Sequence, residues 1–114
     1  MVVELSFEGL RRIALSEKQS AFLVKLDEGF YSNYQEYMVA QEKSLEKNFS
    51  LDSVTVLENS RRVLKDIIKR REQKIFLKAL NDYYANCVDS LGLAAQEKDL
   101  YSSIISLLVL HDGK

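Results

Sequence analysis

Arg71 is the side chain whose type and placement most suggest chemistry. At 100° per residue it falls inside an apolar helical stripe made by Leu57, Leu64, Ile67, Ile68, Ile75 and Ala79. A guanidinium in such a stripe is costly unless it is paired. Two uses fit it. One is a salt-bridged or snorkelling arginine at a helix–helix or subunit contact. The other is an anion-binding arginine in a small helical enzyme, which needs further arginines and a Glu or Gln converging on one pocket. The neighbouring bases fall on other faces of the helix, so the contact arginine is the expectation.

Those bases are the second feature. Residues 61–78 carry eight (Arg61, Arg62, Lys65, Lys69, Arg70, Arg71, Lys74, Lys78) against Asp66 and Glu72, whereas residues 1–60 carry ten acids and six bases. Arg61, Lys65 and Lys69 line one ridge, and Arg70, Lys74 and Lys78 another, with Arg62 and Asp66 spaced for an i,i+4 pair. A solvated basic face explains such a run. Phosphate neutralisation on a nucleic acid, or contact with an acidic protein, would use the same residues.

Nothing else points to catalysis. The chain has no glycine-rich phosphate loop, nucleophile elbow, His pair or Cys pair. His111 is the single histidine and Cys87 the single cysteine, so neither a zinc cluster nor an internal disulfide is expected. Cys87 reads as a small buried group on a helix. No enzyme, cofactor or metal site is expected. No apolar run approaches the ~18 residues of a membrane span, and Met1-Val2-Val3-Glu4 lacks the pattern of a signal peptide. A cytoplasmic protein is expected.

The elements that hold these residues read as helices. In 114 residues there is no proline and only four glycines, with 46% hydrophobic and 29% charged residues. That is too little turn chemistry for an all-β domain and enough apolar surface for one modest core. A first helix spans about 4–15, with Leu5, Phe7, Leu10, Ile13 and Ala14 apolar, and the polar residues 16–20 form a connection. The run 21–26 is either an extended segment or one turn of helix. A second helix spans about 28–49, capped by Asp27, with Phe30, Tyr34, Tyr37, Met38, Leu45 and Phe49 on one face. A third runs from about 53 to 89, ~55 Å at 1.5 Å per residue. That length exceeds the width of so small a domain, so one end must project or meet another chain. Past Ile75 its apolar surface turns to Phe76, Leu80, Tyr83 and Cys87, with Tyr84 and Leu77 beyond. Such a change of face suits a second neighbour, and Arg71, Phe76, Leu80, Tyr83 and Tyr84 are the candidate subunit interface. Gly92 punctuates a turn, and a last helix covers about 95–110. The fold class is all-α: four main helices in a bundle around one long central helix.

Three segments resemble the helical A domain of GINS subunits, replication factors of archaea and eukaryotes. Leu26-Asp27-Glu28-Gly29-Phe30-Tyr31 is similar to the family's leucine, polar residues and Phe-Tyr at the opening of a helix, although no proline follows Leu26 and Gly29 stands where an acid is frequent. The stretch from Glu58-Asn59-Ser60-Arg61 to Ile68, with Arg71-Glu72-Gln73-Lys74-Ile75 behind it, is similar to the family's Asn-x-Arg core helix and Arg-Glu-x-Lys-Ile segment. Glu97-Lys98-Asp99-Leu100-Tyr101 resembles the start of the last A-domain helix. The resemblance covers residues 26 to about 110 and is to the archaeal type. It implies an A domain over 1–110, with 111–114 beginning a linker to a small B domain that is absent here. It also implies a scaffold: a helicase accessory in the replisome, assembled with other GINS subunits as a homo- or heterotetramer. That tetramer would join the MCM helicase to a RecJ-like partner in DNA replication, with at most weak DNA contact. The location implied is nucleoid-associated, or nuclear in a eukaryote. The alternative is an unrelated helical nucleic-acid-binding or regulatory module using the basic helix 61–78.

Overall fold

Serines open two of the four helices, each accepting a backbone N–H that a helix start leaves without a partner. Ser6 accepts from the Gly9 N–H at 3.0 Å, and Ser50 accepts from the Ser53 N–H at 3.4 Å. The computed structural model describes residues 6–26, 28–90 and 92–113. These form α1 (Phe7–Gln19), α2 (Phe30–Lys47), α3 (Leu51–Tyr84) and α4 (Ala95–Asp112). Among the described residues there is no strand, and the architecture is an all-α bundle around a long central helix.

Several boundaries differ from expectation, for physical reasons. α1 continues through the polar residues 16–19 because Glu17 points inward and is buried. A charged residue at an inner position imitates a loop in the sequence. Leu5, placed in this helix by its spacing, lies outside the described residues. So does Asp27, expected to cap α2. The N-cap position there is Gly29, which offers no side chain. Residues 21–26 take no regular structure; Leu26 is buried and Phe22 exposed. α2 stops at Lys47, leaving Phe49 exposed beyond it rather than on the buried stripe.

α3 runs without glycine or proline for 34 residues, about 51 Å, in a molecule 58 Å in its longest dimension. It ends at Tyr84, five residues short of expectation, where Asn86 turns left-handed at φ 54°. With no glycine at hand, asparagine is the residue best able to adopt that conformation. Cys87 therefore sits in the loop and is exposed, not buried on a helix. His111 and Asp112 extend α4 past its expected end.

The side-chain contacts fix the directions. Leu10 packs beside Ile67 while Glu17 reaches Arg71 and Lys74, so α1 runs with α3. Tyr31 lies at the level of Arg71 through Glu97, and Glu42 pairs with Arg61, so α2 runs against α3. Glu97 meets Arg71 and Tyr101 meets Asp82, so α4 runs with the second half of α3. The loop 85–94 must therefore lead the chain back along α3, and Gly92 at φ +84° belongs to that return.

Two apolar clusters result, both using α3. Leu10, Leu26, Phe30, Tyr34, Met38, Leu57 and Ile67 make one with α1 and α2. Ile75, Ala79, Leu93, Tyr101 and Ile104 make the other with α4. Each large apolar side chain so enclosed contributes ~1.5–3 kcal/mol. Aromatic contacts order the first: the Phe30 ring lies 5.1 Å from Tyr31 and 5.0 Å from Tyr34. The Tyr34 hydroxyl donates to the Ser6 carbonyl at 3.3 Å, tying α2 to the start of α1.

Candidate functional site

Arg71 stands on α3 between the two clusters and is fully buried. Its Nε and Nη2 donate to the two carboxylate oxygens of Glu97 at 2.6 and 2.7 Å. Its Nη1 donates to Glu17 at 2.5 Å and to the Val24 carbonyl at 2.6 Å. Around this core the Tyr31 hydroxyl donates to Glu97 at 2.6 Å. Lys74 donates to the Glu17 carboxylate at 2.7 Å, to the Glu17 carbonyl at 2.8 Å and to the Phe22 carbonyl at 2.9 Å. The Val24 N–H returns a bond to Glu17 at 3.3 Å. One node thus gathers α1, the 20–29 connector, α2, α3 and α4.

The charges balance, with Arg71 and Lys74 against Glu17 and Glu97. Among the described residues no buried side-chain nitrogen or oxygen lacks a partner, which is the condition for a buried ionic network to be tolerated. Burial by itself raises the Glu97 carboxyl, but the bonds from Arg71, Tyr31 and the Ala94 N–H outweigh it and hold the group below the usual carboxylate range. Burial of the Arg71 guanidinium works against its charge, and the two carboxylates override this and raise its pKa further. Burial, then the bond to Glu97, raises Tyr31. Glu97, Arg71 and Tyr31 are each held in the protonation state that their partners need.

This geometry resolves the two uses of Arg71. It is a salt-bridged arginine at a helix–helix contact, and its partners belong to its own chain. As a candidate subunit-interface residue it has no surface to offer. The guanidinium faces that an anionic ligand would need are taken by Glu17 and Glu97. Lys74, expected on an outer basic ridge, turns inward to the node. No group of three or more metal-ligating side chains occurs among the described residues.

The remaining bases are also partly engaged. Arg61 pairs with Glu42 across helices, Arg70 with Asp66 at 3.1 Å, and Lys78 with Asp82 at 2.6 Å while sitting 5.4 Å from the Tyr101 ring. Asp66 therefore serves Arg70 and not Arg62. Lys65 and Lys69 remain exposed. Tyr101 joins the second cluster to the loop: its hydroxyl donates to Asp82 at 2.6 Å and accepts from the Asp89 N–H at 2.9 Å.

Phe76, Leu80 and Tyr84, spaced by four, form an outward stripe with exposures of 48, 39 and 67%. Leu77 is exposed beside it, and Leu107, Val109 and Leu110 are exposed near the end of α4. Tyr83 is half-buried, its ring 5.1 Å from Tyr84. Stepping by 100°, Lys65 and Lys69 lie on the same face of α3 as Phe76 and Leu80. One exposed face therefore changes from basic to apolar along its length.

Glu17 and Glu97 are the functional residues that sequence reasoning missed. Glu17 continues the inner row Leu10–Ala14 at helical spacing, an acid out of place that could have been matched to an arginine out of place. Glu97 also accepts from the Ala94 N–H at 2.9 Å, half of a capping box whose other half an alanine cannot supply. Its second role in the node left no local trace. No family model, curated protein or solved structure matches the chain.

Proposed function

We propose that the chain is a non-enzymatic assembly subunit of the GINS type, joining other subunits through the outward stripe of α3. The observation that carries this is the exposure of Phe76, Leu80 and Tyr84 on the longest helix. Contiguous apolar surface on a rigid helix, rich in aromatic residues, is what subunit contacts use. The three GINS-like segments supply the rest: a tetramer serving DNA replication, with the MCM helicase and a RecJ-like protein as partners. The nucleic-acid alternative is weakened because Arg61, Arg70, Lys74 and Lys78, four of the six proposed contact residues, are already paired within the chain.

Light scattering across a concentration series, alone and with a second archaeal GINS-type subunit, tests the reading. A tetramer is expected in one of the two conditions, lost on Leu80→Glu. A monomer under both conditions overturns it.

A further inference from the structure

The cleft between α2 and the first half of α3 has a volume of about 380 Å³. Its floor is apolar, made by Met38 of α2 with Leu64 and Ile68 of α3. Its α3 wall is basic, made by Arg61, Arg62 and Lys65, with Glu58 the one acid in the lining. Glu42 reaches across from α2 to Arg61, leaving that cation satisfied. Arg62 and Lys65 are exposed, and among the described residues neither is paired with a carboxylate, since Asp66 is held by Arg70. Two free cations thus flank a strip of aliphatic surface.

That combination selects its occupant. A phosphate backbone would use the cations but brings no aliphatic group to the floor, and the floor has no aromatic ring on which a base could stack. A purely apolar helix would strand Arg62 and Lys65 against uncharged surface. A segment with leucine or phenylalanine anchors flanked by Asp and Glu satisfies both, in the helix-in-groove manner. We infer that the α2–α3 groove docks a short acidic, leucine-anchored peptide segment of a partner protein. The groove lies on the opposite half of α3 from Phe76–Tyr84, so this inference does not rest on the proposed assembly.

The test uses fluorescence anisotropy with a labelled helical peptide of leucines at every third or fourth position among Glu and Asp. Its controls are the same peptide with Lys for each acid, the same peptide with Ser for each Leu, and labelled single- and double-stranded DNA. Expected is saturable binding of the acidic peptide alone, weakened about threefold or more by each of Arg62→Glu and Lys65→Glu. Both sites are exposed, so circular dichroism melts should stay unchanged. Leu80→Glu, at the far end of α3, should leave the affinity as it was. The inference is overturned if the acidic peptide fails to bind, if it binds the charge-reversed variants equally well, or if either control peptide matches it. DNA binding without peptide binding overturns it in favour of a nucleic-acid surface.

Discussion

Arg71 and Glu97 meet edge to edge, two parallel N–H···O bonds of 2.6 and 2.7 Å joining the middle of α3 to the first turn of α4. Only a planar guanidinium offers a carboxylate this fork, and a lysine at 71 would reach one oxygen at most. Removing one side leaves the other charged and enclosed. Glu97→Ala is expected to destabilise the fold by ~3–5 kcal/mol. Urea unfolding followed by circular dichroism measures it, and a loss under ~1 kcal/mol would mean that the pair behaves as a surface one.

The same carboxylate gives a pH dependence of fixed sign. Glu97 is held below its ordinary value of 4.5 in the fold, so its stabilisation is fully present above that value. It is lost as pH falls through the folded value. The stability gap between wild type and Glu97→Gln should therefore be flat above pH 4.5 and narrow below it. Paired unfolding curves at descending pH show this, and a gap that widens on acidification would contradict it.

Gly92 isolates a backbone effect. A Cβ there would meet nothing within 4 Å, yet φ is +84°. Gly92→Ala should cost about 1 kcal/mol from conformation alone. Thermal melts measure the loss, and an unchanged midpoint would show that the return loop relaxes at no cost.

On the outward stripe the opposite pattern is expected. Leu80→Glu and Tyr84→Glu change exposed side chains, so monomer stability should move by less than about 0.5 kcal/mol. Solubility at high concentration should rise as an apolar patch becomes charged. Unfolding and light scattering on the same samples separate the two effects.

Tyr101→Phe removes one hydroxyl that donates to Asp82 and accepts from Asp89. A loss of ~1–2 kcal/mol is expected, read by chemical denaturation. A neutral result would show that the loop finds other partners.

The four helices were legible because their signals are local. Apolar residues recur at three and four, and no proline interrupts. Arg71 was legible as a residue at odds with its stripe. Its partners were not, because Glu17 lies 54 residues away and Glu97 26, and neither spacing leaves a periodic mark. The misreadings have two causes. Glu17 looked like loop, and Lys74 like solvated surface, because each is polar and turned inward. Cys87 looked helical because the stop at Tyr84 depends on Asn86 turning left-handed without a glycine.

The placement of the node also bears on how the chain folds. Arg71 sits where the α1–α2 half of the bundle joins the α4 half, and it takes one carboxylate from each side. If either half melted alone, the guanidinium would lose an anion while still enclosed by the half that remained. The node therefore makes unfolding cooperative across the two apolar clusters. Intermediates with only one cluster formed are penalised by a stranded charge, so the 51 Å helix should give a single transition and not two.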